Sequence, residues 1–164
     1  MSYVLRHRPD SIGIQLDGQG WTEIGVLLEK MKIAWSELEF VVNNNSKNRF
    51  SLSNDRKQIR ANQGHSVRIE LGLLSKTPPK RLYHGTAILN INNIKGQGLK
   101  KMNRNHVHLS SDIDTAKQVG SRHGKPIVLV INCEEMIADN IKFYQSDNGV
   151  WLTEYVDPKF ITEL

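Results

Sequence analysis

Two adjacent prolines near the middle of the chain, in Ser75-Lys76-Thr77-Pro78-Pro79-Lys80, limit the fold more than any other feature. Each proline fixes its own φ, lacks an N–H and pushes the preceding residue out of the helical region, so neither a helix nor a central strand continues through them. The chain is therefore expected to divide into residues 1–75 and residues 81–164. Of its 164 residues, 38% are hydrophobic, enough for two small lobes that each bury a modest core.

The two segments are patterned differently. In the first, Ile24, Leu27, Leu28 and Met31 follow the i, i+3, i+4, i+7 spacing of one helical face, with Thr22 placed as its N-cap. A second helix is expected from the capping-box form of Ser36-Glu37-Leu38-Glu39, with Trp35 and Phe40 where a hydrophobic staple would stand. Arg49-Phe50-Ser51-Leu52 and Gln58-Ile59-Arg60-Ala61 alternate around Ser53-Asn54-Asp55 and predict a hairpin. Helices followed by a hairpin resemble a winged-helix module. The second segment is richer in strands: Arg81 to His84, His106 to Ser110, Pro126 to Ile131 and Gly149 to Thr153. Ile88, Ile91 and Ile94 predict one short helix, and Asp112 to Val119 another. The expected class is α+β, with a mostly antiparallel sheet in the second lobe.

Charge and cysteine content narrow the function. Twenty-two Lys and Arg against seventeen Asp and Glu give a net charge of +5, a bias toward polyanions. Residues 1–75 carry ten basic and eight acidic side chains and residues 76–164 twelve and nine, so a ligand gripped by both halves fits the distribution. The single cysteine, Cys133, excludes an internal disulfide framework and a Cys-based metal site. No apolar run approaches the roughly 20 residues that span a bilayer, and Arg and His stand where a signal peptide needs an apolar core, so a cytoplasmic protein is expected.

Several groups of residues carry potential chemistry. Lys47, Arg49, Arg56, Lys57, Arg60 and Arg68 face one acid, Asp55, across the hairpin region. That is a field suited to phosphate, although a solvated edge that discourages sheet aggregation has the same composition. Arg6 and His7 precede Arg8-Pro9 and fall at an expected helix C-terminus, where cations complement the dipole; a phosphate role would require partners, for which Arg49 and Arg104 are the candidates. In His84-Gly85-Thr86 the glycine would admit a ligand close to the backbone and the flanking side chains offer hydrogen bonds. His106 and His108 share a strand face, but no third ligand stands at metal spacing, so hydrogen bonding is expected of them and a metal is not.

Together, Leu5-Arg6-His7, Asn48-Arg49-Phe50-Ser51, Ile59-Arg60-Ala61-Asn62-Gln63-Gly64-His65-Ser66, Leu82-Tyr83-His84-Gly85-Thr86 and Arg104-Asn105-His106-Val107-His108-Leu109-Ser110 resemble, in order and spacing, the tRNA 2′-phosphotransferase family. Arg122-His123-Gly124 and Asn148-Gly149-Val150-Trp151-Leu152 continue the match. The resemblance implies a winged-helix lobe that recognises RNA phosphate and a C-terminal lobe of the ADP-ribosyltransferase fold that holds NAD⁺. By motif, the catalytic Arg, His, Arg and Arg correspond to Arg6, His7, Arg49 and Arg104. His84, Gly85, Thr86, His108, Ser110, Arg122 and Val150 are expected around the cofactor. Many relatives of that fold that modify proteins carry glutamate where this chain has Val150. A carboxylate about 4 Å from a phosphate nucleophile would repel each unit of its charge by roughly 4 kcal/mol at an effective dielectric near 20, a conflict that valine removes.

The implied reaction begins with attack of an internal RNA 2′-phosphate on the nicotinamide ribose, giving an RNA-2′-phospho-ADP-ribose intermediate. The neighbouring hydroxyl then attacks phosphorus, leaving RNA with a 2′-hydroxyl and ADP-ribose 1″,2″-cyclic phosphate. Whether His7 acts as acid, base or phosphate ligand is left open by the resemblance. Its expected place is tRNA splicing or RNA repair, as a monomer. Two other functions suit the same residues: an ADP-ribosyltransferase that caps terminal phosphates of nucleic acid, and a non-catalytic RNA-binding module. The family usually carries more helical sequence before the Arg-His pair than the few residues here, so a short first helix is expected.

Overall fold

The computed structural model describes residues 1–164 apart from the side chain of His123. Helices and antiparallel strands are mixed throughout, so the chain is α+β. It forms two compact units: Met1–Leu73 with Ser146–Asn148, and Leu74–Gln145 with Gly149–Leu164.

The first unit begins with α1, Ser2–Arg6, a single turn of helix closed by His7 and followed by a 3₁₀ turn at Pro9–Ile12. Then come β1 (Thr22–Glu23), α2 (Ile24–Met31), α3 (Trp35–Asn43), β2 (Phe50–Leu52) and β3 (Gln58–Ala61). The three strands form one antiparallel sheet in the order β1-β3-β2. Thr22 is not a helix cap: it is buried in β1 opposite Ile59, and Glu23 takes the N-cap position of α2. In α3 the helix starts at Trp35, with Glu37 accepting from the Ala34 N–H at 2.8 Å; this is half of a capping box, two residues earlier than Ser36-Glu39 would place it. Phe40 is exposed, so it forms no staple. Val4, Leu5, Ile14, Ile24, Leu27, Leu38, Phe50, Ile59 and Ala61 make a core in which α1, although only one turn long, is held by Leu5. Packing anchors this helix; five residues are far too few for intrinsic stability.

The second unit contains β4 (Arg81–Ala87), α4 (Ile91–Gln97), β5 (Leu99–Lys100), β6 (Val107–Leu109), α5 (Ile113–Gly120), β7 (Pro126–Asn132), α6 (Cys133–Ala138), β8 (Tyr144–Gln145), β9 (Trp151–Thr153), β10 (Tyr155–Val156) and β11 (Ile161–Glu163). Its sheets run β11-β7-β4, β6-β9-β8 and β10-β5, each pair antiparallel. The unbroken apolar run Ile127-Val128-Leu129-Val130-Ile131 suits β7, the central strand of its sheet. Strand β4 pairs with it along its full length, from Arg81 opposite Asn132 to Ala87 opposite Pro126. Asp112 caps α5 by accepting from the Thr115 N–H at 2.7 Å. The core includes Leu82, Leu99, Leu109, Ile131, Met136, Phe143, Leu152 and Phe160.

Candidate functional site

In the first unit, Arg6 is the last residue of α1 and His7 its cap, with the His7 N–H bonded to the Tyr3 carbonyl at 2.9 Å. Both side chains are half-buried. A segment following β3, Asn62 to Val67, holds this corner in place. The Ser66 and Val67 N–H groups both donate to the Arg6 carbonyl, at 2.9 and 3.4 Å, and Ser66 Oγ and His7 Nδ1 share a hydrogen bond of 2.9 Å. At its other end the Asn62 N–H donates to the Arg49 carbonyl at 2.9 Å and Asn62 Nδ2 to the Asn48 carbonyl at 2.7 Å. The anchors of Arg6 and Arg49 are thus four residues apart on one segment, a span of at most about 14 Å. Arg49 is half-buried at the entrance to β2, and its Nη1 donates to Asn45 Oδ1 at 2.9 Å.

The other hairpin cations are differently engaged. Arg56 pairs with Glu39 and lies over the Trp35 ring. Arg60 pairs with Asp147 at 2.7 Å and lies 4.6 Å from the centre of the Trp21 ring. These two contacts take up charge that the composition alone assigns to one phosphate field. Arg6, His7 and Arg60 surround His65: burial first, then those three positive neighbours, push its pKa down from 6.5 to about 4. At neutral pH His65 is uncharged.

In the second unit, β4 carries His84, Gly85 and Thr86 within the strand, which runs on to Ala87 where the sequence pattern predicts a strand from Arg81 to His84. Tyr83 and Ser110 exchange both backbone hydrogen bonds at 2.8 Å, which joins the end of β6 to β4. His84 Nδ1 donates to the His108 carbonyl at 3.0 Å, fixing the ring and leaving Nε2 as its acceptor when neutral. Burial and the positive charge of Arg104 hold the His84 pKa below its ordinary value, against the bond to His108. Arg104, exposed on the turn before β6, approaches His108 Nδ1 with Nη1 at a long 3.4 Å. Thr86 Oγ1 accepts from Asn90 Nδ2 at 3.1 Å. Val150 is half-buried just before β9, and Arg122 is exposed in the 3₁₀ turn after α5.

Gly85 has a packing explanation. A Cβ there would lie 1.6 Å from the Ala116 carbonyl oxygen, and one on Gly120 would lie 2.8 Å from the Thr86 nitrogen. Helix α5 therefore lies backbone to backbone on β4, and it is a helix carbonyl that makes glycine necessary. Burial pushes the Cys133 thiol up to about 12, which removes it as a nucleophile at neutral pH.

His84, His108, Ser110 and Arg104 are thus brought together in one unit, and Arg6, His7 and Arg49 are tied to one segment in the other. Sequence reasoning missed the roles of Asn62, His65, Ser66, Asn90 and Asp147, whose positions follow from tertiary packing; only Asn62, His65 and Ser66 lie in a motif that had drawn notice.

Comparison with known proteins gives a consistent result. Residues 1–155 match the family model described as RNA 2′-phosphotransferase, Tpt1 / KptA family. A probable RNA 2′-phosphotransferase of Fusobacterium nucleatum subsp. nucleatum is 48% identical, the alignment covering 98% of this chain and 93% of that protein. One of the same description from Burkholderia pseudomallei is 50% identical over 98% and 90%, and one from Acaryochloris marina 47% over 100% and 93%. The family match over residues 1–155 spans the segments that carry both clusters. The chain belongs to the RNA 2′-phosphotransferase family.

Proposed function

We propose that the protein removes an internal 2′-phosphate from RNA by transferring it to NAD⁺, with the first unit a winged-helix module that recognises the RNA phosphate and the second an ADP-ribosyltransferase-like fold that holds the cofactor. The observation that carries this reading is the attachment of Arg6, His7 and Arg49 to the single segment Asn62–Val67. Two guanidinium groups and an imidazole borne by residues tied to one segment are a suitable cradle for a doubly charged oxyanion.

The second unit fits a dinucleotide in the chemistry of its donors. His84 Nε2, Thr86 and Ser110 offer partners for ribose hydroxyls, and the apolar Val150 keeps a carboxylate away from the incoming phosphate. Arg122 supplies charge for the cofactor's phosphates. NAD⁺ contributes an acceptor ribose carbon and a leaving group, nicotinamide, that departs uncharged. The work left to the protein is orientation: Arg6, His7 and Arg49 hold the 2′-phosphate, and His84 orients the ribose. When the adjacent hydroxyl later attacks phosphorus, Arg104 offsets the growing charge on the phosphoryl oxygens and His7 can relay the proton.

The test is a pair of variants assayed with NAD⁺ and an oligonucleotide bearing one 2′-phosphate. Arg104→Ala is expected to fold normally, to slow turnover by about a hundredfold or more, and to accumulate RNA carrying ADP-ribose. Arg49→Lys is expected to lose at least about tenfold, since a point charge replaces neither the bond to Asn45 nor a two-pronged phosphate contact. Wild-type turnover in both variants would remove these residues from the site.

A further inference from the structure

The most unusual group in the first unit lies outside the mechanism just described. His65 is 1% exposed, yet among the described residues neither ring nitrogen has a hydrogen-bond partner. A buried polar atom without a partner costs stability, and a hydrocarbon ring of similar size would avoid that cost. The ring is also surrounded by positive charge, from Arg6, His7 and Arg60. It belongs to the segment whose backbone and Ser66 hydroxyl hold Arg6 and His7, and whose Asn62 holds Arg49. Next to the ring is Gly20, at φ +84°, where a Cβ would stand 3.4 Å from His65 Nε2. The side chain that a Cβ at Gly20 would displace is Ile69, whose Cδ1 would lie 2.8 Å away, while the imidazole would be in ordinary contact.

We propose that His65 is a positioning residue of the RNA-phosphate site: an uncharged imidazole seated against Gly20, its buried ring nitrogens free of hydrogen bonds among the described residues in a positively charged surround, sets where segment Asn62–Val67 holds Arg6 and His7. Phenylalanine could fill the volume but would present hydrocarbon to guanidinium edges, and a protonated ring would add a positive charge beside those of Arg6 and Arg60. Its pKa of about 4 keeps the ring in the required state across the physiological range and excludes it as a proton carrier near pH 7. The proposal rests on the assignment of Arg6 and His7 to the phosphate site.

The experiment compares wild type, His65→Phe, His65→Gln and Arg6→Ala in steady-state assays with NAD⁺ and a 2′-phosphorylated oligonucleotide. His65→Phe is expected to unfold at or above the wild-type temperature, with KM for RNA raised about tenfold, as for a displaced hydrogen bond to a charged ligand, and KM for NAD⁺ unchanged. His65→Gln, which retains an acceptor, is expected to recover most of the loss. Wild-type KM for RNA in a folded His65→Phe would overturn the proposal, and so would an equal rise in both KM values, which marks a general lesion. If His65→Phe fails to fold, ¹⁵N spectra of wild-type histidines decide: His65 ring signals that move on addition of the oligonucleotide support the role, and unmoved signals refute it. Arg6→Ala separates the two levels. If it also leaves KM for RNA unchanged, the phosphate site itself is misassigned; if it raises that KM and His65→Phe does not, only the role of His65 falls.

Discussion

At the scale of single residues, burial and charge couple the ionisation of His65 to folding. Its folded pKa, about 4, lies below the 6.5 of an exposed histidine. The unfolded chain therefore binds the proton more readily, so stability is greatest above about pH 6.5, declines as pH falls toward 4, and loses nothing further to this group below that. The depression corresponds to about 3 kcal/mol, taken as an order of magnitude for a ring that is 1% exposed. Urea unfolding from pH 7.5 to 4 should show this slope, and His65→Phe should flatten it. Arg60 provides a second prediction. Its side chain is only 12% exposed and its charge is paired with Asp147. Asp147→Ala leaves that guanidinium unpaired and is expected to cost about 1–2 kcal/mol by denaturant midpoint, less than for a fully buried pair because the carboxylate is partly in water.

At the scale of elements, the close approach of α5 to β4 is the least tolerant feature. A methyl group at Gly85 cannot coexist with a carbonyl oxygen 1.6 Å away, so Gly85→Ala must move either the helix or the strand that carries His84 and Thr86. The expected result is destabilisation of about 3 kcal/mol or more together with a raised KM for NAD⁺, read by thermal unfolding and steady-state kinetics. Much of the element pattern was legible in the sequence. The α2 periodicity, the β2-β3 hairpin and the apolar β7 run are local signals, and each appears where those signals place it. Strands β1, β5, β8, β10 and β11, of two or three residues, carry no periodicity and exist because of their partners. Thr22 shows the same effect: its side chain has the chemistry of a cap, and pairing with Ile59 decided otherwise. The purpose of Gly85 was hidden too, because the atom that requires glycine lies 31 positions away in Ala116.

At the scale of the whole molecule, the two units have separate cores, one centred on Leu5, Leu27, Leu38 and Ile59 and the other on Leu82, Ile131, Met136 and Leu152. Each supports one half of the proposed chemistry. Loss of a core side chain in the first unit should therefore weaken RNA recognition selectively: Leu5→Ala, at a fully buried position beside Arg6, is expected to cost about 2–5 kcal/mol and to raise KM for RNA above that for NAD⁺. The motifs for this division were readable as residue types in order along the chain, whereas the contacts that make them sites, Ser66 to His7, Asn62 to Arg49 and His108 to His84, are long-range and emerge only on folding. The central claim is that these residues carry out NAD⁺-dependent removal of an RNA 2′-phosphate. Its most direct test is incubation of the protein with NAD⁺ and a short oligonucleotide bearing one internal 2′-phosphate, followed by mass analysis of all products. The account predicts intact RNA with a 2′-hydroxyl, nicotinamide and ADP-ribose 1″,2″-cyclic phosphate in equal amounts; RNA that keeps its phosphate while NAD⁺ stays unconsumed, or a strand cleaved without NAD⁺, would contradict it.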